Sequence, residues 1–282
     1  MSEKTNAYNV PTTGHVWDDN LAELTNPPPK WWMIGLHASW LLVVLYGVFY
    51  PSWPMIGAKG FTPGIAGWTQ IKEYKGDLKS LDAMRAKYED QLKDKSAAEI
   101  LADPQLKEYT TRSANVLFGD NCAACHGSKG AGNPGFPVLA DDDWLAGGTV
   151  DQIQATVTNG RRGMMPVKGG AALSDAEVAT LADAISKGQP LSTPLFTEKG
   201  CVACHGTDGK GNQAIGSANL TDNIWRFDGS VAGITATITH GVNDPSDAQT
   251  RNAVMPTFGG SKLTATDIKK LAVYVHELGG GK

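Results

Sequence analysis

The sequence predicts an all-α protein in which one N-terminal transmembrane helix is followed by two small helical domains in tandem. Three observations carry this prediction. A stretch free of Asp, Glu, Lys and Arg runs from Trp32 to about Tyr50. The chain beyond about residue 110 repeats itself once, and each copy opens with a C-x-x-C-H motif behind a helix-forming segment.

The chain has 282 residues and a formal net charge of -4, with no long basic run. That length accommodates two or three small domains with cores of their own. The acidic balance argues against a nucleic-acid partner and suits a basic redox partner. All four cysteines fall in two C-x-x-C pairs, Cys122/Cys125 and Cys201/Cys204, which leaves none for a structural disulfide elsewhere.

Residues 1–30 form a polar tail and residues 31–53 the predicted membrane anchor. At about 1.5 Å rise per residue the apolar stretch crosses a hydrocarbon layer about 30 Å thick. A cleaved signal peptide is the weaker reading, because about thirty polar residues precede the stretch and Pro51-Ser52-Trp53-Pro54 follows it. Trp31 and Trp32 at one end, with Tyr50 and Trp53 at the other, match the aromatic belts of membrane interfaces. His37 lies inside the span, where a polar group usually faces another helix, and is a candidate contact to a partner subunit.

Residues 54–108 read as a connection. Gly57 to Gly67 is rich in Gly and Pro, and residues 68–103 are charged and helix-prone, with Leu78, Leu81, Met84, Tyr88 and Leu92 at three- and four-residue intervals. An amphipathic helix is expected there, broken at Pro104 and packed on a helical domain or a partner subunit.

The repeat places one domain at 109–189 and a second at 190–282. Cys122 and Cys201 differ by 79 positions, Trp144 and Trp225 by 81, and Gly160 and Gly241 by 81. The offset reaches 90 between Met165 and Met255, so the second copy carries nine extra residues around 243–253. Each copy ends in a helix started by a Ser/Thr cap, Ser174 with Glu177 and Thr264 with Asp267.

The two motifs, Cys122-Ala123-Ala124-Cys125-His126 and Cys201-Val202-Ala203-Cys204-His205, have the haem-attachment pattern. Two thiols three positions apart on one helical turn reach the two vinyl groups of the macrocycle, and the adjacent His is carried beneath the iron. A thioredoxin-like pair needs no His and expects a β-α-β setting; a zinc site does not account for a His after both pairs. Two covalently bound haems c are therefore expected, held by Cys122, Cys125, Cys201 and Cys204, with His126 and His205 as iron ligands.

The two copies resemble class I cytochrome c domains, which take their sixth ligand from a methionine before a proline in a Gly-rich loop. Met165-Pro166 and Met255-Pro256 hold that place. Such a neutral thioether raises the reduction potential. Met164 competes with Met165, but the second copy has Val254 at the matching position. Each methionine could serve the haem of its own copy or that of the other; both arrangements stay open. His240 reads as a loop support, His276 as a surface or haem-edge residue, His15 as a tail residue without a visible partner, and Trp144 and Trp225 as packing or haem-propionate contacts. No nucleophile-base pair, phosphate loop or metal-spaced carboxylate cluster is present in the sequence.

The layout resembles the dihaem subunit III family (CcoP/FixP type) of cbb3-type cytochrome c oxidase. The resemblance spans nearly the whole chain and is carried by His15-Val16-Trp17-Asp18, Leu21 and Asn26-Pro27-Pro28-Pro29-Lys30-Trp31-Trp32 ahead of the anchor and both C-x-x-C-H copies. It implies a single-pass protein of the bacterial inner membrane whose first thirty residues are cytoplasmic and whose haem domains lie in the periplasm. Electrons would arrive from donor cytochromes c. They would pass through a monohaem cytochrome c subunit to a catalytic haem-copper subunit, where oxygen is reduced with proton pumping. This chain would itself be no enzyme. The alternatives are a free-standing membrane-anchored dihaem carrier similar to cytochrome c4, a dihaem peroxidase and a haem-based sensor. Two Met-Pro loops argue against the peroxidase, and no signalling domain supports the sensor.

Overall fold

The computed structural model describes residues 11–18, 21–57, 60–260 and 262–281. Parts of the expected tail (residues 1–10, 19 and 20) and of the Gly/Pro-rich connection (58 and 59) lie outside the described residues. The chain divides into two units, Met1–Met84 and Arg85–Lys282.

The first unit amends the all-α expectation. Strands β1 (Thr12–Trp17) and β2 (Leu21–Leu24) pair antiparallel, with Val16 opposite Ala22 and Trp17 opposite Leu21. Thr12, Thr13, Val16 and Trp17 are residue types that fit a pleated surface, and Asp18 takes a left-handed φ of 45° where the strand ends. Helix α1 (Lys30–Phe49) follows Pro29, and its side chains are exposed nearly all round; Gly47 is its one buried residue. An apolar helix exposed along most of its length is suited to lipid. Its polar groups are satisfied within the helix, His37 Nδ1 by the Met33 carbonyl at 2.6 Å and Ser39 Oγ by the Leu36 carbonyl at 2.8 Å.

The helix closes at Phe49, short of the expected residue 53, because Tyr50 precedes Pro51 and is extended. The segment that follows is more than a tether. It turns back so that Ile65 and Ala66 donate to the carbonyls of Val48 and Phe49, both at 3.0 Å, satisfying the end of the helix. Gly64 permits that approach, since its φ is +68° and a Cβ there would overlap the Phe49 carbonyl.

Helix α2 (Gln70–Asp94) begins in the first unit and ends in the second. The break expected at Pro104 falls earlier. Ser96 and Glu99 form a capping box that starts α3 (Ala97–Ala102), and Pro104 instead opens α4 (Pro104–Asn121) behind the N-cap Asp103. The rest of the second unit comprises α5 (Ala123–His126), α6 (Val150–Asn159), β3 (Arg161–Arg162), α7 (Asp175–Ser186), α8 (Leu195–Glu198), α9 (Val202–His205), α10 (Val231–His240), β4 (Val254–Met255) and α11 (Ala265–His276). The predicted caps Ser174 and Thr264 are both capping boxes. Strands β3 and β4 make a second short ladder, Arg161 opposite Met255 and Arg162 opposite Val254.

Two apolar cores form, and they cross the expected boundary between residues 189 and 190. The first gathers Leu92, Ile100, Leu106, Phe118, Ile153 and Val157 around Ile268, Leu271, Val273 and Val275 of α11. The second gathers Val178, Leu181 and Ile185 of α7 with Phe196, Leu220, Ile234 and Ile238. The last helix of each sequence copy thus sits in the core built by the other copy's C-x-x-C-H motif. Lobe A consists of α3 to α6 with β4 and α11, and lobe B of β3 with α7 to α10.

Side-chain complementarity selects this exchange. On α4, Phe118 meets the Tyr274 ring at 5.2 Å, Asn115 accepts from Tyr274 Oη at 3.0 Å, and Lys107 pairs with Glu277 at 3.2 Å. At the 90-residue offset, α7 would offer Ala184 and Lys187 in those places. Losing a buried aromatic ring costs about 3 kcal/mol, whereas doubling a connecting loop costs only about 0.6 kcal/mol. Packing therefore outweighs the longer connection. The end of α2 joins the same core: Leu92 is fully buried, and Lys269 Nζ donates to the carbonyls of Leu92, Lys93 and Lys95, capping that helix end. Packing on a helical domain was the first expectation for this amphipathic helix.

Candidate haem sites

Each C-x-x-C-H motif occupies the turn after a helix that brings it to the edge of a core. Phe118 is buried one turn before Cys122, and Cys122 caps α4 before α5 begins. Gly127 leaves α5 with φ +73°, and the chain curls so that Gly132 donates to the His126 carbonyl at 2.7 Å. In lobe B, Phe196 is buried ahead of Cys201, Gly206 has φ +82°, and Gly211 donates to the His205 carbonyl at 2.8 Å. The two sites are the same device built twice.

This curl orients the imidazoles. His126 Nδ1 lies 3.1 Å from the Pro137 carbonyl, and His205 Nδ1 lies 2.9 Å from the Ala218 carbonyl. A carbonyl only accepts, so Nδ1 donates in both and Nε2 keeps its lone pair for a metal. Burial holds both histidines below the usual imidazole range, against the opposing effect of these hydrogen bonds; at His126 the Arg226 charge adds to the lowering. Both are thereby kept neutral, as an iron ligand must be.

Cys125 and Cys204 are exposed, while Cys122 and Cys201 are half-buried. Burial, with Cys125 adding to it, pushes the Cys122 thiol up to about 11, and burial raises Cys201 as well. A dithiol redox pair needs a depressed thiol pKa, so these are poorly suited to thiolate chemistry. The two pairs also adjoin different cores. Two free thiols beside a neutral His with an available Nε2 fit a covalently attached haem.

Met255 is half-buried against the core of lobe A together with Cys122 and Ala123. Met165 packs against the core of lobe B together with Cys201 and Val202. Each methionine thus shares a core with the other copy's motif. Met164 is 63% exposed and Val254 45%, so the neighbours of the two Met-Pro residues face outward.

A seam between the copies holds both methionine loops. Beside the β3/β4 ladder, Met165 and Val242 exchange backbone hydrogen bonds at 2.9 and 2.8 Å. The C-cap glycines complete it. Gly160, with φ +69°, lies so close to the Met255-Pro256 backbone that a Cβ would stand 2.5 Å from the Met255 oxygen, and Gly241 meets the Met165 carbonyl in the same way. The extra nine residues of the second copy fasten this seam. Asn243, buried and at φ 53°, exchanges hydrogen bonds with the Ala253 backbone at 3.0 and 2.9 Å and donates to the Gly163 carbonyl at 2.6 Å. Asp244 accepts from Val167 N at 2.7 Å; its hydrogen bonds from Ser246 and Val167 hold its carboxyl below the usual range. His240 supports this loop as expected, through Asp247 at 2.9 Å.

Sequence reasoning did not single out Asn243, Asp244 or Arg226. The insertion itself was the available signal for the first two. Trp144 packs on the first core and donates to the Gly280 carbonyl at 2.6 Å, while Trp225 packs on the second. His276, expected at a surface or haem edge, is partly buried at the end of α11, with its Nδ1 3.6 Å from the Glu277 carboxylate and making no hydrogen bond. Arg226, next to Trp225, crosses to lobe A, where its Nε donates to the Gly135 carbonyl at 3.0 Å and its own carbonyl accepts from Gly135 N at 3.0 Å. It lines a cleft of about 710 Å³ with residues 131–136, Val138, Trp225, Phe227, Asp228 and Arg251.

Comparison with known proteins places these features in one family. The N-terminal domain model of the FixP cytochrome oxidase-cbb3 protein matches residues 9–57, and the model for cbb3-type cytochrome c oxidase subunit III matches residues 110–183 and 194–275. A cbb3-type cytochrome c oxidase subunit FixP from Azorhizobium caulinodans is 40% identical, over 96% of this chain and 94% of its own. The CcoP subunits of Cereibacter sphaeroides and Rhodobacter capsulatus are 37% and 36% identical, covering 96% or more of each chain. A membrane-type helix, two motifs of like geometry and end-to-end likeness to these subunits together establish that the chain belongs to the subunit III (FixP/CcoP) family of cbb3-type cytochrome c oxidase.

Proposed function

We propose that this chain is the dihaem electron-relay subunit of a cbb3-type oxidase, with one haem c attached to Cys122 and Cys125 and a second to Cys201 and Cys204. His126 and Met255 would hold the iron of the first, and His205 and Met165 that of the second. The observation that carries this reading is the sharing of each core by one motif histidine and the other copy's half-buried methionine. Bound haem supplies a one-electron iron couple, which a His/Met pair poises at a higher potential than two histidines.

The chain's own residues do the rest. Pro137 and Ala218 fix the imidazole tautomers, the seam glycines let the methionine loops lie close, and the apolar cores exclude water. A histidine and a methionine at each iron would leave neither site open for oxygen, so oxygen reduction would belong to a haem-copper partner subunit. Electrons enter from a donor cytochrome c and leave through a monohaem cytochrome c subunit. Helix α1 anchors the chain in the inner membrane with the haem lobes in the periplasm, and residues 1–30 are cytoplasmic.

Purification of the detergent-extracted complex through this chain tests the proposal, using haem-stained denaturing gels, a pyridine haemochrome assay and subunit identification. Two covalent haems c arriving with a second c-type subunit and a protein carrying haem b and copper is the expected result. A chain that emerges alone with two haems is a free-standing carrier, and absence of covalent haem overturns both readings. Protease added outside intact spheroplasts should cleave the haem lobes and spare the tail.

A further inference from the structure

The seam relates the two copies almost symmetrically, and at one place the symmetry breaks in charge. Gly135 and Gly216 are equivalent at the 81-residue offset, as are Leu145 and Arg226, the residues after Trp144 and Trp225. The backbone contacts correspond too. The Arg226 carbonyl accepts from Gly135 at 3.0 Å, and the Leu145 carbonyl lies 3.8 Å from where a Gly216 Cβ would stand. The side chains do not correspond. Lobe B sends a guanidinium across to lobe A, and lobe A presents a leucine in return.

Arg226 is held for this position. Its Nε is tied to the Gly135 carbonyl, it lies 5.7 Å from the Phe227 ring centroid, and Phe136, the next residue after Gly135, packs edge-on against His126 at 6.4 Å. Among the described residues it forms no salt bridge, although Asp228 and Arg251 line the same cleft, and burial moves its pKa downward. A cation that is partly buried in a cleft and makes no ion pair there favours an anionic partner, because an unpaired charge is costly to desolvate. The acidic side groups of a haem attached at Cys122 and Cys125 meet that need.

We propose that Arg226 is a positioning residue for electron flow: a cation supplied by lobe B that raises the reduction potential of the His126 haem, while Leu145 leaves the His205 haem without a counterpart. The inference rests on the reading of two covalent haems at these motifs. A fixed positive charge favours the ferrous over the ferric state, so the asymmetry separates two otherwise like-ligated centres and gives the pair a direction. At an effective dielectric of about 20, one charge about 10 Å from the iron would be worth about tenfold in the equilibrium.

The test is redox potentiometry on the purified full-length holoprotein, fitted as two haem waves, for the wild type and for Arg226→Leu, Arg226→Lys and Leu145→Arg. Arg226→Leu should lower one wave by about tenfold in its equilibrium, which is about 59 mV for a one-electron couple. Arg226→Lys should keep that wave near its original place, and Leu145→Arg should raise the other wave. If Arg226→Leu moves neither wave, or if Arg226→Leu and Leu145→Arg act on the same wave, the inference is wrong even though two haems are present. Should Arg226→Leu fail to mature, Leu145→Arg decides alone, and an unmoved potential there overturns the inference. Fewer than two covalent haems in the wild type would instead refute the dihaem reading itself.

Discussion

Met165 and Val242 exchange backbone hydrogen bonds in both directions, at 2.9 and 2.8 Å, so the methionine loop of one sequence copy is fastened to the turn that ends the other copy's α10. Its counterpart is the ladder that sets Arg161 opposite Met255. The two sites are therefore joined through the backbone that carries their methionines, and a change at one loop reaches the opposite lobe.

The crossed ligation proposed from that geometry is separable from ligation within each copy by substitution. In a variant with Cys201 and Cys204 replaced by Ala, the remaining haem should respond to Met255→His with a fall in potential of about tenfold or more in its equilibrium. Met165→His in the same background should leave it unchanged. Redox titration checks this, and the reverse pattern would restore each methionine to its own copy.

Gly160 and Gly241 are each required twice over, by a φ of +69° and by the carbonyl that a Cβ would strike. Gly160→Ala should cost about 2–3 kcal/mol from the left-handed backbone and the displaced loop together. Thermal unfolding should show the loss, and the absorption characteristic of methionine-ligated ferric haem should weaken at the first site. Gly119→Ala is the control, because nothing lies within 4 Å of its Cβ position and it belongs to a helix.

Asn243 satisfies both hydrogen-bonding groups of the Ala253 peptide edge from a left-handed backbone that Asn tolerates better than most residues. Asn243→Ala leaves the Ala253 N–H and two carbonyls without that partner and should destabilise by about 2–4 kcal/mol. Denaturant unfolding measures it. A change under about 0.5 kcal/mol would show that the insertion does not fasten the seam.

Asp143 is a carboxyl that folding disfavours as an anion. Burial, then the neighbouring Asp222, Asp141 and Asp142, raise it from 3.8 to about 6. The folded state then binds the proton more tightly than the unfolded chain, so stability falls as pH rises from about 4 to about 6 and the penalty is complete at pH 7. Asp143→Asn should stabilise by about 1 kcal/mol at pH 7, a figure reduced for the group's partial exposure. The gain should vanish below about pH 4. Unfolding curves at the two pH values decide it.

Tyr274 links α11 to α4 through the Phe118 ring and Asn115. Tyr274→Ala should cost about 3–5 kcal/mol by the cavity it leaves, and it makes α11 resemble α7, which has Ala184 at that place. Loss of stability together with a lowered first-site potential is the expected pair of effects. Chemical unfolding and redox titration read them independently.

Much of the site was legible because its chemistry is local in sequence. Two thiols and a histidine within five residues define an attachment turn, and each methionine announces itself by the proline after it. The preference for Met165 over Met164 agrees with their exposure. The N-terminal hairpin was missed because a short polar strand pair has too little apolar alternation to register. The exact start of α3 was missed because a capping box at Ser96 outcompetes the later proline as a helix boundary.

The sequence by itself determined the membrane-length helix, the number of C-x-x-C-H motifs, the residue types offered as iron ligands and the helices around them, since each depends on neighbours along the chain. Only the tertiary structure decided which methionine shares a core with which motif and which copy's last helix completes which core. Both copies present the same apolar spacing, so periodicity cannot choose between α7 and α11. The choice falls to long-range matches of shape and charge, Tyr274 against Phe118 and Asn115 and Glu277 against Lys107, which α7 with Ala184 and Lys187 cannot supply.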